Sequence, residues 1–566
     1  MKTGVNAPKD PIAKKAGFYI MKSQEIGAIV ESDGSKVRDI YLDDGRLENA
    51  AWIQGGIDET LRARLSNPKG FREVVRAIGF TIEASKDDEA IDVDFMFYAK
   101  TDKYVSGSHI ASKIVTNGVE QIIDLADFNW SDDDLVVGKL AFLFPASIDK
   151  AVASVKLYVN DGIEVPPQEE DNPVDTESLV YKNMIKKSLM QVGTTARFKE
   201  AVRKAKNGED VTIAFIGGSI TQGAGSVPCK TNSYAFKAYN QFKTKFASGD
   251  GSHVHFVKAG IGGTPSELGI IRYDRDVEDF GKVKPDVVIV EFAVNDADDE
   301  TGGDCYEGLV RRIWNSENHP AVILLFSVFA NDWNLQERFI PIGEVCKLPM
   351  ISIMDAVTPQ FSLTKDTGKV LSKGQFFYDI FHPSNIGHQI MADCIGYYYD
   401  EAVNAEDSDM EELPVVRSKD FENIKYIDRT HIPSGIEIEH NGFCETDTAL
   451  QSVEEVFTDI MLPMFKDNWM WNGTSDNKNG FKMIINCRVL LIAPKDSDDK
   501  RFGCVDIYID GEKVCTYDPS VVGWTHCGSK IILREQECKK HIVEIKMAEG
   551  QEDKFFTILG FGYMED

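Results

Sequence analysis

The sequence predicts an α/β protein: a central domain on a mainly parallel sheet, layered α/β/α, with a β-sandwich domain on either side. Three observations predict it. The β-branched runs Val211–Ile216 and Val287–Val290 read as strands buried on both faces, and each gives way to a glycine or Asn-Asp turn. Short alternating segments fill the regions before and after them. Two acidic, proline-containing stretches, Val165–Pro173 and Asn404–Pro414, divide the chain in three, and 566 residues exceed what one core usually holds.

In chain order, residues 1–165 form the first, jelly-roll-like unit, with short strands over Ala90–Tyr98, Gly118–Asp124, Leu140–Phe144 and Val152–Val159. Residues 186–405 form the central domain, which closes on a helix over Pro383–Tyr399. Residues 415–566 return to strands at Phe481–Ile485, Val489–Ile492, Cys504–Ile509 and His541–Lys546, with Asp510-Gly511 as a hairpin turn. Trp469, Trp471 and Trp524 in this last unit have two readings. They fill its core, or they offer flat apolar faces to sugars, which would make the unit carbohydrate-binding.

Four segments of the central domain carry chemistry. The run Val211-Thr-Ile-Ala-Phe-Ile-Gly-Gly-Ser-Ile-Thr-Gln-Gly223 ends a buried strand in two glycines and presents Ser219 at its carboxyl edge, as a nucleophile, a phosphate cradle or a plain loop. Lys258-Ala-Gly-Ile-Gly-Gly-Thr264 places glycine N–H groups in a strand-to-loop turn. Pro285–Asp296 ends abruptly in Asn295 and Asp296, where an amide either donates to an oxyanion or caps a turn. In Tyr378-Asp-Ile-Phe-His-Pro-Ser-Asn-Ile-Gly-His388, Asp379 stands three residues before His382, so its carboxylate can accept from one imidazole nitrogen while the other faces a serine.

Together, Gly-Gly-Ser219, the loop ending at Gly263, Val-Asn295-Asp and Asp379-x-x-His382 resemble the four blocks of the SGNH hydrolases, or GDSL-type esterases, over about residues 186–405. The resemblance implies Ser219 as nucleophile, His382 as general base then acid, and Asp379 as the group orienting the imidazole. It implies an oxyanion hole from the backbone N–H of Ser219, the backbone N–H of Gly263 and the side-chain amide of Asn295. Two blocks depart from the family: Gly-Gly-Ser-Ile-Thr stands where Gly-Asp-Ser-Leu is usual, and Ala-Val-Asn-Asp where Gly-Gly-Asn-Asp is common. Neither removes a reacting group. β-rich flanks around such a domain resemble the multidomain bacterial carbohydrate acetylesterases. The function expected is removal of O-acetyl groups from xylo- or manno-oligosaccharides through an acyl-enzyme. The alternatives are a short-chain lipase or thioesterase on the same triad, and a noncatalytic glycan-binding protein.

Other features bound this reading. His388 reads as a structural group; His253 and His255 alternate along a strand, but no Cys-x-x-Cys or His-x-x-Glu-His completes a metal site, and no phosphate loop follows Gly225, so neither metal nor cofactor is expected. Arg272, Asp274, Asn331, Trp333 and Tyr378 are candidates to line the pocket. A net charge of −29, from 91 acidic against 62 basic residues, argues against nucleic acid or an anionic membrane as partner, leaving the acetylated oligosaccharide and a homo-oligomer. No apolar run is long enough to span a bilayer and the amino terminus Met1–Pro8 lacks a hydrophobic signal core, so a cytoplasmic location is expected, with the ten cysteines as reduced thiols.

Overall fold

The structure, a computed structural model, describes residues 16–31, 33–166, 170–457, 460–475 and 477–565. The Met1–Pro8 terminus and residues 167–169 of the first linker lie outside them.

The amino-terminal region pairs its strands in two antiparallel sheets. One runs in the order Gly17–Gly27, Lys150–Val159, Val75–Ala84, Gln121–Asp124, and the other Ile29–Val30, Lys36–Tyr41, Asp134–Leu143, Ala90–Ala99, His109–Val115. Both turn apolar faces, including Phe18, Phe80, Phe95, Phe142 and Leu157, into one core. Three short helices, Arg46–Ile53, Glu59–Leu65 and Pro68–Val74, interrupt what the sequence reads as uniformly β. Asp58 and Asn67 start the last two by accepting from the N–H groups of Leu61 and Gly70, but each helix is too short to show an apolar period.

The central sheet has six strands in the order Leu189–Gln191, Met350–Ser352, Ala321–Phe326, Val287–Glu291, Val211–Gly217, Val254–Gly260. All pair in parallel except the antiparallel edge Leu189–Gln191. Alternate residues feed two cores, one on each face: Ile213, Phe215, Val287 and Ile289 meet the helices Ala196–Asn207, Tyr234–Phe246 and Asn385–Asn404, while Ala214, Ile216, Val288 and Val290 meet Ser266–Asp276 and Asp304–Trp314. That two-sided burial is why these strands read as continuous apolar runs. From the serine-bearing strand Val211–Gly217 the chain steps out to Val254–Gly260, then crosses back to Val287–Glu291 on the other side. The order therefore reverses at Gly217, where open α/β sheets place their ligand crevice.

Among the described residues, the carboxyl-terminal strands link into a nine-stranded set and a separate two-stranded pair. The two segments Phe481–Ile485 and Val489–Ile492 are a single strand, Phe481–Asp496, and His541–Lys546 belongs to Lys530–Met547. The pairing of the two long strands shifts register between Cys487 and Val489, whose partners are Lys539 and Arg534, and the polar Asn486 and Arg488 make one strand look like two in the sequence. Asp510 and Gly511 form the expected turn, both with positive φ. This sheet packs on the central domain: a Cβ at Gly562 would lie 2.8 Å from Ile424 and 2.9 Å from Ile271 of helix Ser266–Asp276, and Val489, Leu491 and Leu559 join the core beneath that helix. The acidic stretch after Asn404 is strapped down: Arg197 reaches Asp409, Lys199 reaches Asp407, and Arg311 donates to the Leu413 carbonyl at 2.7 Å. All ten cysteines are free thiols.

Candidate active site

Three neighbouring strand ends build one edge. Gly217 stands opposite Gly260 on one side and Glu291 on the other, so the segments following these strands start level with one another. Space dictates the glycines. A Cβ at Gly217 would lie 2.4 Å from the Glu291 carbonyl, and one at Gly260 would lie 2.1 Å from the Gln222 nitrogen. The fully buried Arg272 clamps the edge from below, its guanidinium donating to the carbonyls of Gly217 and Ala259, each at 2.9 Å.

Ser219 opens the short helix Ser219–Gln222, and its Oγ lies 2.9 Å from His382 Nε2. His382 Nδ1 lies 2.8 Å from Asp379 Oδ2, while Asp379 Oδ1 accepts the backbone N–H groups of Phe381 and His382. Burial would raise the Asp379 carboxyl, but the adjacent imidazole and these hydrogen bonds outweigh it and hold the group below the usual carboxylate range. The carboxylate therefore stays charged and fixes the ring with Nε2 towards the serine.

Asn295 and Gly263 complete the constellation. The Asn295 side chain lies flush on Gly218, where a Cβ would come within 2.2 Å of its Oδ1 and 2.7 Å of its Nδ2. In this arrangement any side chain at 218 would strike Asn295. Val294, which stands where the family often has glycine, is buried in the core. Gly262 sits beside Ser219, a Cβ there lying 3.6 Å from Ser219 Cβ, and Gly263 follows with φ +72.

Buried carboxyls tie these turns together. Thr221 Oγ1 donates to Glu291 Oε2 and shares a hydrogen bond with the Tyr234 hydroxyl. Asp296 accepts from the N–H and hydroxyl of Ser266, linking the Asn295 turn to the segment after Gly263. Burial pushes Glu291 up to about 8 and Asp296 up to about 7. His388 is buried, accepting from Tyr234 N at Nδ1 and facing the Ala224 carbonyl through Nε2, and burial pushes it down to about 3.

The remaining sequence candidates divide. Tyr378 begins the loop that holds Asp379 and His382, its carbonyl accepting from Gln24 of the amino-terminal region. Trp333 packs on Phe329, which meets Phe381 edge-on at 5.0 Å, one residue before His382. Asn331 is exposed at the same turn. Arg272 lies under the sheet edge, and Asp274 pairs with Arg312 away from it, so neither lines the mouth. His253 and His255 contact the Ala205 carbonyl and Asp210 respectively. Among the described residues no group of three or more His, Cys, Asp or Glu is arranged to hold a metal.

Trp469 and Trp471 are core residues, 1% and 2% exposed. Trp524 is different: it is 43% exposed, and a Cβ at Gly263 would lie 2.9 Å from its ring. His526 and Gln451 approach the same glycine loop. Sequence reading passes over both, because each is a single residue far from the four blocks and without a pattern of its own.

Residues 215–390 match the GDSL-like lipase/acylhydrolase family. Among solved structures, the chain is similar to a two-domain esterase active on acetylated mannans, 26% identical with a TM-score of 0.55, covering 68% of this chain and 99% of that one. A structure of such an esterase co-crystallised with mannopentaose gives the same identity and score, covering 68% and 98%. No curated protein matches. Over residues 215–390 the chain therefore carries a GDSL-like lipase/acylhydrolase domain of the SGNH type.

Proposed function

We propose that the protein is a serine esterase that removes O-acetyl groups from acetylated plant oligosaccharides, the manno-oligosaccharides foremost, through an acyl-enzyme. The observation that carries this reading is the unbroken chain from Asp379 to His382 at 2.8 Å and on to Ser219 at 2.9 Å. His382 Nε2 takes the Ser219 proton as Oγ attacks the acetyl carbonyl. The tetrahedral oxygen receives the N–H groups of Ser219 and Gly263 and the Asn295 amide. His382 then protonates the departing sugar hydroxyl, and water repeats the attack to release acetate. Its scaffold is a three-layer hydrolase domain over about residues 186–405 with a β-sandwich-like unit on each side.

Two observations support a sugar as the leaving group. The structural relative is described as active on acetylated mannans, and the half-exposed Trp524 beside Gly263 offers a flat apolar face at the mouth. The test is acetate release from acetylated manno- and xylo-oligosaccharides by the parent and by Ser219→Ala, with acetyl and octanoyl nitrophenyl esters alongside. Release from a glycan that disappears with Ser219 supports the proposal. No release from any glycan, with activity kept on the octanoyl ester, overturns it.

A further inference from the structure

The Gly263 N–H is assigned above to the oxyanion, and among the described residues no hydrogen bond takes it up. It belongs to the peptide unit that joins Gly262 to Gly263. A trans peptide is planar, with its C=O and N–H pointing in opposite directions, so whatever fixes the Gly262 carbonyl also aims the Gly263 N–H. Two consecutive glycines resist rotation of that plane less than any other pair, and a flip would turn a carbonyl towards the oxyanion.

What fixes the plane comes from the carboxyl-terminal region. Gln451 Nε2 donates to the Gly262 carbonyl at 2.8 Å, and its Oε1 accepts the Cys527 N–H at 2.9 Å, which locks the amide in that orientation. The next peptide is held similarly: His526 Nε2 lies 3.1 Å from the Gly263 carbonyl, and its Nδ1 lies 2.8 Å from Asp496 Oδ2. Asp496 is itself buried and accepts from the Tyr517 hydroxyl at 2.5 Å. From the catalytic domain comes a third restraint, Gln222 Oε1 accepting the Gly262 N–H at 2.8 Å. Both carbonyls of the Gly262–Gly263 turn thus accept from outside the catalytic domain, and the one N–H left open is the one catalysis needs. A donor on the Gly262 carbonyl also polarises its peptide and strengthens the N–H at the far side.

We infer that Gln451 and His526 are positioning residues for the oxyanion hole, through which the carboxyl-terminal sheet completes the catalytic apparatus. The inference rests on the serine-esterase reading and deepens it.

The test measures kcat and KM on 4-nitrophenyl acetate, a substrate too small to reach a distant subsite, with full-length variants whose folding is checked by melting curves. Gln451→Met keeps the shape and removes the donor; Gln451→Glu keeps the shape and turns a carboxylate oxygen on the Gly262 carbonyl. Both should lower kcat by about tenfold to a hundredfold, as a misplacement near 1 Å does, with KM within about twofold of the parent. His526→Ala should fall in the same way, and His526→Gln, which restores a donor at the same reach, should recover most of the loss. Arg534→Ala, which breaks an ion pair between the same sheet and Asp304, should leave kcat at the parent value. Parental kcat in both Gln451 variants overturns the inference, as does an equal loss in Arg534→Ala. Ser219→Ala separates the two readings. If it stays active, the esterase reading itself fails; if it is dead while the Gln451 variants keep full kcat, only the positioning role fails.

Discussion

Asn295 is a proposed oxyanion donor whose other amide atom is left unpaired. Its Oδ1 is buried and has no hydrogen-bond partner among the described residues, an arrangement that stability alone would not retain. The unpaired oxygen makes sense when the other end of the amide, Nδ2, is the group being aimed. Asn295→Ala should therefore separate function from stability. Removing one oxyanion donor lowers kcat by about 10²- to 10³-fold, while deleting an unpaired buried oxygen should leave the melting temperature unchanged or raise it. Steady-state kinetics and calorimetry on the same preparation check both halves. A variant that unfolds earlier and turns over at the parent rate would make Asn295 a turn cap, the other role open to it in the sequence.

At the scale of elements, Glu291 ends the strand Val287–Glu291 and reaches across to Thr221 in the serine turn, so strand pairing and turn geometry depend on a fully buried carboxyl. Burial raises it from the ordinary 4.5 to about 8, which means that the folded state holds its proton more tightly than the unfolded chain does. The stability linked to it is fully present below about pH 4.5 and is lost as pH rises towards 8. Asp296, pushed up to about 7, acts in the same direction. The melting temperature should fall between pH 5 and pH 9, and Glu291→Gln, which carries no titrating proton, should make that fall shallower. A parent whose melting temperature climbs with pH, or a variant with the same slope as the parent, would refute the linkage. Elements of this kind also show what a sequence reveals. The parallel strands were legible because burial on both faces leaves continuous β-branched runs, and the closing helix because Pro383 and Ser384 stand at its start. Ser219, Gly263 and Asn295 were legible because each follows the end of a strand, and Asp379 and His382 because of their three-residue spacing. Glu291 was not, since a carboxyl at the end of an apolar run looks like the point where the strand reaches solvent. The buried Arg272 misled for the opposite reason: arginine in a helix suggests a surface, and nothing in the local pattern records that it caps two strands from beneath.

Across the whole molecule, the arrangement of regions decides what the serine can reach. The amino-terminal region braces the histidine loop from one side: Gln24 donates to the Tyr378 carbonyl, Glu25 accepts from Asn385, and the Arg46 guanidinium lies 6.0 Å from the centre of the Phe381 ring. The carboxyl-terminal sheet closes on the glycine loop from the other and brings Trp524 to the mouth. That region is packed on the central domain by a shared apolar core and by Arg275, whose guanidinium lies 3.7 Å from the Phe465 ring centre, and the Trp524 ring packs 4.7 Å from His526. An indole already packed on a neighbour loses less freedom when a sugar ring stacks on it, and covering some 60 Å² of apolar surface is worth about 1–2 kcal/mol. Trp524→Ala should therefore raise KM for an acetylated manno-oligosaccharide by about 5- to 30-fold. On 4-nitrophenyl acetate, which has no sugar to stack, kcat/KM should stay within about threefold of the parent. The comparison distinguishes a binding wall from a prop for Gly263, because a collapsing Gly263 would slow both substrates alike. Equal losses on the two would make Trp524 part of the oxyanion support that Gln451 and His526 provide, and no loss on either would place the sugar elsewhere on the surface.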